Sequence, residues 1–314
     1  MRFYRALHHV PVDSQGCVAT IGNFDGVHQG HRQVFTHLQA QARRMGLAAT
    51  VISFEPLPVE FFARHTTQRI YPLRDKIRQL AAAGIERFIV LPFNADFAAI
   101  DAEDFVQQIL LKHLKVRYLA VGDDFRFGRK RQGDFALLKR LGEPQGMQVQ
   151  DTPTYEYKTQ RISSTRVRTA LAKGDLITAQ QLLGHPYQLS GRVRHGDKLG
   201  RTIGFPTLNM RLPDNLALRK GIYAVRIHGL NGLTEKIYYG AASLGTRPTV
   251  SGRDMRLETH VFDFSGDAYG QYVCIELVKF IRDEEKFDNV AIMQAHIQQD
   301  CQHIQQFFAQ NSTY

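Results

Sequence analysis

The sequence has few cysteines and no long apolar run, and each absence excludes a class of protein. Cys17, Cys274 and Cys301 are scattered over 314 residues and form no C-x-x-C pair. This usage excludes a metal cluster or a disulfide framework and favours a reducing cytoplasm. No apolar stretch approaches the roughly 20 residues that a membrane span requires. The N-terminal segment 1–10 lacks the apolar core of a signal peptide, so we expect a cytoplasmic protein.

The remaining composition is that of a globular chain with an excess of positive charge. With 43% hydrophobic and 22% charged residues, 314 residues suggest about two domains with substantial cores. The net charge is +10, but the positive residues are dispersed, and the densest run is R-F-G-R-K-R at 126–131. No RNP-like or zinc-finger motif accompanies them. We interpret the excess as attraction of phosphorylated substrates and expect no nucleic-acid or membrane partner, with RNA binding as the alternative.

The stretch at 22–31, G-N-F-D-G-V-H-Q-G-H, joins two predicted elements. An apolar run at 17–21 precedes it, and the helical pattern that follows has apolar residues at Val34, Phe35, Leu38 and Ala42. A strand, a glycine-rich turn and a helix direct free N–H groups and the positive helix end at an anion. His28 and His31 would lie side by side on one face and donate hydrogen bonds to a polyphosphate. The stretch therefore predicts a nucleotide-phosphate site.

The H-x-G-H spacing in this setting resembles the signature of the nucleotidyltransferase superfamily that is related to class I tRNA synthetases. It is not a Walker motif, because no G-K-[ST] follows. Gly26 and Gly30 do not fit the dinucleotide pattern G-x-G-x-x-G either. The alternative interpretation is a pair of histidines that only caps a helix.

The first half of the sequence alternates strand and helix patterns. We predict strands at 48–54, 87–91 and 116–121, a helix at 73–83, and a second helix that ends at 113 with Asp101 as its N-cap. This order predicts an α/β domain with a parallel, doubly wound sheet. Ligands bind such sheets beyond the carboxyl ends of the strands, where Gly22, Phe54 and Gly122 would all lie.

A second anion-receptive segment reads R-I-S-S-T-R-V-R at 161–168. Its hydroxyls could cap a helix that begins there, flanked by Arg161 and Arg168, whose charge suits phosphate oxygens. The alternative is an ordinary Ser/Thr cap with surface arginines.

The pattern changes after a helix that ends near Leu183, since Gly184-His185-Pro186 cannot continue it. Strands of period two are predicted at 188–193, 222–228, 236–242, 257–263 and 272–280, with Asn231-Gly232 as a turn pair. This spacing predicts a small antiparallel β-barrel. A terminal helix at 288–308 carries one apolar face, made of Val290, Met293, Ile297, Cys301, Ile304 and Phe308. We therefore predict two domains, 1–184 and 185–314.

The barrel segment 191–209 contains glycines at 191, 196, 200 and 204, which allow a ligand to approach the backbone closely. Thr207 and Asn209 offer neutral oxygens that could hold hydrated Mg²⁺ together with nucleotide phosphates. The alternative is a glycine-rich barrel loop with no ligand.

Four N-terminal motifs together resemble the adenylyltransferase module of bacterial bifunctional riboflavin kinase/FAD synthetases. They are G-N-F-D-G-V-H-Q-G-H, F-E-P at 54–56, G-D-D-F-R-F-G at 122–128 and I-S-S-T-R-V-R at 162–168. The resemblance implies that His28, His31 and Arg168 act in catalysis and that ATP binds Gly22, Asn23, Asp25, His28, His31, Arg161, Ser163, Ser164, Thr165 and Arg168. It implies that the flavin binds Phe54, Pro56, Pro58, Phe62, Asp124 and Phe127. Family members often have His at the position of Leu57 and Asn at that of Asp124.

The C-terminal half resembles riboflavin kinases through G-F-P-T-L-N at 204–209, G-T-R-P-T at 245–249 and L-E-T-H at 257–260. Leu208 stands where the family usually has Ala. The resemblance implies a riboflavin-kinase-like barrel in which Glu258 is the base and Thr207 and Asn209 are the Mg²⁺ ligands. It places ATP against Gly196, Lys198, Gly200, Thr202, Gly204, Pro206, Thr207 and Asn209.

The resemblance covers nearly the whole chain and implies two reactions. Riboflavin and ATP would give FMN, and FMN and ATP would give FAD and pyrophosphate, with Mg²⁺ as cofactor. A neutral alcohol needs a base, whereas the FMN phosphate is already an anion and needs charge neutralisation and placement. We expect riboflavin, FMN and ATP as partners and a monomer or weak homo-oligomer. The alternatives are another H-x-G-H nucleotidyltransferase, acting on nicotinate mononucleotide or phosphopantetheine, and a basic RNA-binding or regulatory protein.

Overall fold

The computed structural model describes residues 1–11, 15–63, 67–122, 124–152, 155–157, 160–196, 199–233, 235–249 and 252–311; for 199, 247–249 and 252–254 it describes the backbone only. The chain forms two compact units. One comprises Met1–Thr67 with Lys76–Ser163, and the other comprises Gln68–Asp75 with Ser164–Tyr314. The division of activities at residue 184 stays a prediction.

The first unit is built on a six-stranded parallel sheet of order β1-β4-β3-β2-β5-β6. Parallel neighbours cannot be joined by a tight hairpin, so a longer crossover segment, usually a helix, connects them. The parallel sheet confirms the predicted α/β class. The predicted strands are confirmed to within a residue at each end, whereas the two edge strands were not predicted. The strands are β1 (Arg2–Tyr4), β2 (Cys17–Ile21), β3 (Ala48–Glu55), β4 (Arg87–Pro92), β5 (Val116–Val121) and β6 (Gln148–Asp151).

The helices of this unit follow the apolar periodicity of the sequence. In α1, Phe35, Leu38 and Ala42 are buried, and Gly46 ends the helix with a left-handed φ of 64°. The helices are α1 (Gln29–Met45), α2 (Pro58–Phe62), α3 (Leu73–Ala82), α4 (Ala95–Ala98), α5 (Ala102–Asp104), a π-helix (Phe105–His113) and α6 (Phe135–Gly142). Residues 73–75 of α3 group with the other unit. A two-stranded ribbon, β7 (Glu156–Tyr157) and β8 (Gln160–Arg161), completes the unit.

Asp101 is the N-cap residue of α5, as predicted, but it does not cap the helix through its side chain. Instead, its Oδ1 accepts a hydrogen bond from Arg129 Nε at 2.9 Å. A cation from a distant loop competes with the helix N–H groups for the same carboxylate. The helical stretch continues to His113, as predicted.

The second unit contains the predicted antiparallel barrel, with strand order β10-β13-β12-β11-β14-β9. A bridge between Arg194 and Asn209 brings the two ends of this sheet together, so the barrel is nearly closed. Asn231 and Gly232 adopt left-handed φ angles of 57° and 71° between two neighbouring strands, as the turn pair predicts. The strands are β9 (Gln188–Arg192), β10 (Thr207–Leu212), β11 (Gly221–His228), β12 (Tyr238–Thr249), β13 (Gly252–Val261) and β14 (Tyr272–Arg282).

The α-helices in the described part of this unit are α7 (Ser164–Lys173), α8 (Leu176–Leu183), α9 (Leu199–Thr202) and α10 (Val290–Gln310). The predicted apolar face of α10 buries Cys301, Ile304 and Phe308, but Val290 at its first position is 53% exposed. The face is therefore correct except at the helix start, where the first turn lies at the surface. Among the described residues, no helix is long and apolar enough to cross a membrane.

Candidate active sites

The turn between β2 and α1 places the H-x-G-H residues at the carboxyl edge of the parallel sheet. Gly22 N donates to Ile52 O of the neighbouring strand at 3.1 Å, which ties the turn to the sheet. Gly26 has a φ of 89°, and Phe24 and Val27 also have positive φ values, 45° and 46°. Two non-glycine residues in this region make a tightly constrained turn.

The two histidines lie in direct contact, as the spacing predicts. Their rings stack with centroids 3.5 Å apart and an interplanar angle of 15°. His28 is the N-cap of α1, and its Nδ1 accepts a hydrogen bond from the backbone N–H of His31 at 3.3 Å. That role leaves Nε2 of the neutral His28 ring as the N–H donor. A Cβ at Gly30 would lie 3.3 Å from the His28 ring, so the glycine makes room for the stack.

The His31 ring is held in a desolvated, electropositive environment. Its pKa is lowered well below 6.5, first by burial and then by the repulsion that Lys76 and a protonated His28 would exert on a positive charge there. Its Nδ1 is buried and, within the described parts of the chain, has no hydrogen-bond partner. The edge of the Phe24 ring packs against it at a centroid distance of 5.1 Å. A neutral imidazole with an unused nitrogen beside a helix N-terminus suits an anionic ligand.

Lys76 is a contributor to this centre that the sequence did not reveal. Its side chain is almost fully buried, at 1% exposure. Its Nζ donates to the carbonyl oxygen of Asn23 at 2.8 Å, and Ser53 Oγ donates to the same oxygen at 3.3 Å. Asp25, predicted for ATP, is also buried, at 1% exposure. In the sequence Lys76 lies in an ordinary helical pattern, and only the fold places it beneath the turn.

A cavity of about 690 Å³ adjoins the turn at Asn23 and is lined mainly by aromatic rings. Phe54, Pro58, Phe62 and Phe127, predicted for the flavin, all line it. Pro56 and Asp124 are not among its lining residues, and Asp124 faces Arg161 at 3.9 Å in an exposed pair. Leu57, at the position where relatives often have His, is buried at 1% exposure.

Further residues line this cavity, and apart from Phe125 and Arg126, which lie in the G-D-D-F-R-F-G motif, they were not predicted from the sequence. The walls also include Phe93, Phe97, Phe105 and Phe125, and the basic lining residues are Arg126, Lys130 and Arg131. The basic ones belong to the R-F-G-R-K-R run, which was interpreted only as general attraction of phosphorylated substrates. The aromatic ones come from four separate segments, and no local pattern connects them.

The segment predicted to carry further ATP ligands is divided between the two units. Arg161 ends β8 and Ser163 follows it in the first unit, whereas Ser164, Thr165 and Arg168 lie in α7 of the second. The helix begins at Ser164, as the hydroxyl run predicts.

In the barrel, strand register brings the predicted kinase residues together. Asn209 of β10 is the direct partner of Glu258 of β13, and Thr207 pairs with His260 two positions away. Directly opposed residues in an antiparallel pair point to the same side of the sheet. The His260 ring nitrogen Nδ1 is 2.9 Å from Pro206 O.

The side chain of Asn209 is oriented so that its oxygen is available to a ligand. Its Nδ2 donates to Thr207 Oγ1 at 3.2 Å, which fixes the direction of the amide. Its Oδ1 is buried and has no hydrogen-bond partner among the residues that the structure describes. A Cβ at Gly196 would lie 2.5 Å from this amide, so the glycine is required by the close approach. A buried, unused oxygen beside a hydroxyl fits a hard cation such as Mg²⁺.

Thr207 lies where two cavities of the barrel unit meet. One, of about 350 Å³, includes Glu258, Gly200 and Phe287. The other, of about 280 Å³, includes Pro206, Arg201 and Tyr269. Two ligands that occupied them would therefore approach each other at Thr207.

The remaining predicted kinase residues surround these cavities. Gly200 cannot carry a side chain, since its Cβ would lie 2.3 Å from Phe205 O. Thr202 ends α9, and Gly204 follows with a φ of 85°. Lys198 lies outside the described residues.

Two family models match consecutive parts of the chain. The model described as FAD synthetase matches residues 10–166, and the model described as riboflavin kinase matches residues 183–308. Residues 167–182, which span most of α7 and α8, lie outside both matches.

Relatives match over nearly the full length. The chain is 45% identical to the bifunctional riboflavin kinase/FMN adenylyltransferase of Escherichia coli K12 over 98% of both chains. It is 44% identical to the protein of the same description from Haemophilus influenzae, over 98% of this chain and 99% of the relative. A crystal structure described as a macrolide-efflux protein from Streptococcus pneumoniae superposes with a TM-score of 0.77, at 30% identity over 95% of this chain and 96% of that one.

The depressed pKa of His31 predicts a pH-dependent contribution to stability. The folded chain binds a proton on His31 less readily than the unfolded chain does. The contribution of His31 to the free energy of unfolding is therefore complete above pH 6.5 and is lost as the pH falls toward the folded-state pKa. The loss is at most about 1.4 kcal/mol per pH unit. We expect the difference in free energy of unfolding between wild type and His31→Asn to shrink as the pH is lowered, measured by urea denaturation.

The exposed His303, on α10, supplies a matched control. His303→Asn should leave the pH dependence of the wild type unchanged. A wild-type-minus-His31→Asn difference that stays constant across the pH range would contradict the burial of a neutral His31.

Proposed function

This chain belongs to the bifunctional riboflavin kinase/FMN adenylyltransferase family, and from that premise we propose which of its residues carry each reaction. It phosphorylates riboflavin with ATP to FMN and adenylylates FMN with a second ATP to FAD. The observation that carries our assignment is the presence of two chemically different centres, one in each unit. The centre of the first unit has the neutral imidazoles of His28 and His31 at a helix N-terminus. The centre of the barrel has the carboxylate of Glu258 opposite the amide of Asn209, whose oxygen can bind a cation.

We assign adenylyl transfer to the turn of the first unit. An oxygen of the FMN phosphate attacks the α-phosphorus of ATP, the bond between the α-phosphorus and the bridging oxygen breaks, and pyrophosphate leaves with that electron pair. The nucleophile is already an anion, so no base is needed. His28 and His31 donate N–H bonds to the phosphate charge, together with the free N–H groups at the start of α1. Lys76 holds the Asn23 carbonyl, and with it the turn, in place.

We assign the flavin of this step to the aromatic cavity beside Asn23. Phenylalanine rings suit the planar isoalloxazine, and Arg126, Lys130 and Arg131 suit the phosphate of FMN. A volume of about 690 Å³ is in the range of small-molecule sites. The roles of Arg161, Ser163, Ser164, Thr165 and Arg168 toward ATP remain predictions, as do those of Pro56 and Asp124 toward the flavin.

We assign riboflavin phosphorylation to the barrel, with Glu258 as the general base. Glu258 takes the proton of the ribityl hydroxyl, whose oxygen attacks the γ-phosphorus of ATP, and ADP leaves. The cavity that contains Glu258 would hold riboflavin, and the cavity across Thr207 would hold ATP. Thr207 would then lie at the point of transfer.

Thr207 and Asn209 would hold Mg²⁺ in this centre. The support is the buried, unused Oδ1 of Asn209 and its fixed orientation beside the Thr207 hydroxyl. When bound, the cation supplies neutralisation of the phosphate charge. The protein's contribution is the rigid pairing of β10 with β13, which keeps this amide opposite Glu258. We also propose a reducing compartment, consistent with the three free thiols of Cys17, Cys274 and Cys301.

Replacement of His28 should separate the two reactions. We expect His28→Ala to lower FAD formation from supplied FMN at least 100-fold, because one donor to the phosphate charge is lost. FMN formation from riboflavin should stay within about twofold of wild type. Both rates are measured by chromatography of the flavins. His37 lies on the same helix but contacts Tyr118 OH at 2.7 Å, so His37→Ala is the control and should retain both activities. Equal loss of both reactions in His28→Ala would contradict separate centres.

Replacement of Glu258 should have the reciprocal effect. Glu258→Gln keeps the size of the side chain but removes the base, so FMN formation should fall by about 10² or more. Conversion of supplied FMN to FAD should persist. The matched control is Glu235→Gln, an exposed carboxylate outside the cavities. If Glu258→Gln phosphorylated riboflavin at the wild-type rate, the assignment of the base would be wrong.

A further inference from the structure

One cavity of the barrel unit is lined by arginines and is used by neither reaction. It has a volume of about 630 Å³, and four guanidinium groups border it, those of Arg74, Arg192, Arg194 and Arg211. It shares no lining residue with either cavity that meets at Thr207. It is therefore a separate concave surface of strongly positive charge.

The four arginines outnumber the carboxylates described beside this cavity, which are Asp214 in its lining and Asp75 next to Arg74. Asp214 is the one carboxylate among the lining residues that the structure describes. Arg192 Nη1 donates to a carbonyl, Gly270 O, at 3.0 Å. Within the described chain, the side chains of Arg192 and Arg194 form no ion pair. Like charges held close together repel one another, and a bound anion would relieve that repulsion.

Arg74 lies next to a buried hydrogen-bond network that is formed by Asp75 and Ser190. Asp75, which is fully buried, accepts hydrogen bonds from Ser190 N at 3.0 Å and from Ser190 Oγ at 2.6 Å. Its Oδ2 lies 3.8 Å from Arg74 Nη2. The Nε of Arg74 is buried and lacks a hydrogen-bond partner among the described residues. A buried, unused donor on a fixed guanidinium is a second sign that a ligand belongs in the cavity.

The backbone of the other arginines is fixed by the barrel. Arg192 is the β9 partner of Tyr272 in β14. The backbone N–H of Arg194 donates to Asn209 O at 2.8 Å. Arg211 of β10 is paired with Arg256 of β13. The charges are therefore brought together by ordered strands, so little ordering of the main chain is required on binding.

Tyr272 adds an aromatic surface to the cavity. Its ring is 49% exposed, and its hydroxyl is 2.7 Å from Ser190 Oγ, which holds the ring in place. A fixed, half-exposed ring beside arginines can stack with a nucleobase. The concave shape suits a small molecule, whereas a nucleic-acid strand is usually tracked by an extended groove.

We propose that this cavity is an auxiliary anion site for a ligand with two or more linked phosphates, either inorganic pyrophosphate or an adenine nucleotide. Guanidinium groups bind phosphate oxygens in bidentate pairs, and several converging forks favour linked phosphates over a single one. The site uses no residue assigned to either reaction.

The test is equilibrium dialysis of the full-length protein with radiolabelled pyrophosphate at low salt and without magnesium. We expect the wild type to bind one more equivalent of pyrophosphate per chain than Arg192→Gln/Arg194→Gln does. If the double variant still binds that equivalent, the wild type should bind it at least tenfold more tightly. The count is a difference, so pyrophosphate bound elsewhere on the chain does not affect it. Identical stoichiometry and affinity in the two proteins would overturn the proposal.

Two controls exclude trivial explanations. Arg43→Gln/Arg44→Gln removes the same charge from the exposed face of α1 and should bind like the wild type. Phosphorylation of riboflavin by Arg192→Gln/Arg194→Gln should stay within about twofold of wild type, which shows that the barrel is folded. If the α1 variant lost the same equivalent, the binding would reflect net charge, and the site would be refuted.

Further titrations distinguish the possible ligands. A nucleotide site is identified if ADP binds the wild type more tightly than pyrophosphate does. In that case ADP should also bind Tyr272→Leu at least fivefold more weakly than the wild type, whereas Tyr272→Phe should bind it like the wild type. A site for inorganic pyrophosphate is identified if the wild type, Tyr272→Leu and Tyr272→Phe bind pyrophosphate equally and bind ADP more weakly than pyrophosphate. Inorganic phosphate that competes as well as pyrophosphate would contradict the requirement for linked phosphates. Single-stranded RNA that displaces pyrophosphate and binds more tightly through the same arginines would overturn the small-molecule assignment.

Discussion

The stack of His28 on His31 is the contact on which the first centre depends. Gly30 makes room for it, because a Cβ at that position would lie only 3.3 Å from the His28 ring. The stack also requires the constrained turn that places His28 at the N-cap of α1. With one ring accepting from the helix backbone and the other desolvated, both imidazoles are neutral donors. The helix N-terminus would add its partial positive charge toward the phosphate that we propose binds there.

The two reactions make different demands, and the two units satisfy them differently. Adenylyl transfer has an anionic nucleophile, so the first unit provides donors, a helix terminus and an aromatic cavity but no base. Phosphorylation of riboflavin has a neutral alcohol as nucleophile, and we propose Glu258 of the barrel as its base. The parallel sheet positions its site at strand ends, whereas the barrel positions its site by cross-strand register between Asn209 and Glu258. Each fold supplies the geometry that its reaction needs.

Features with a local signature could be predicted from the sequence. The strand, turn and helix around 22–31 are local, and so are the period-two strands and the apolar face of α10. Strand β10 was not predicted, because it begins at Thr207, at the end of the glycine-rich stretch 191–209 that was interpreted for ligand binding and not for secondary structure. The N-cap position of Asp101 was predicted correctly, but the partner of its carboxylate was not, since that partner is Arg129, 28 positions away.

The features that could not be predicted depend on contacts between distant segments. Lys76 reaches Asn23 across 53 positions. The aromatic cavity draws its phenylalanines from separate segments of the first unit, and the arginine cavity combines α3 with three barrel strands. None of these groupings has a period or a spacing in the sequence, because only the packed fold brings them together.

The central claim is that one chain carries two independent centres. The most direct test is to mix equal amounts of the His28→Ala and Glu258→Gln proteins with riboflavin, ATP and Mg²⁺ and to follow FAD by chromatography. The account predicts that neither protein alone makes FAD from riboflavin, whereas the mixture does, because FMN made by one barrel reaches the intact turn of the other chain. A mixture that accumulates FMN but forms no FAD would contradict it.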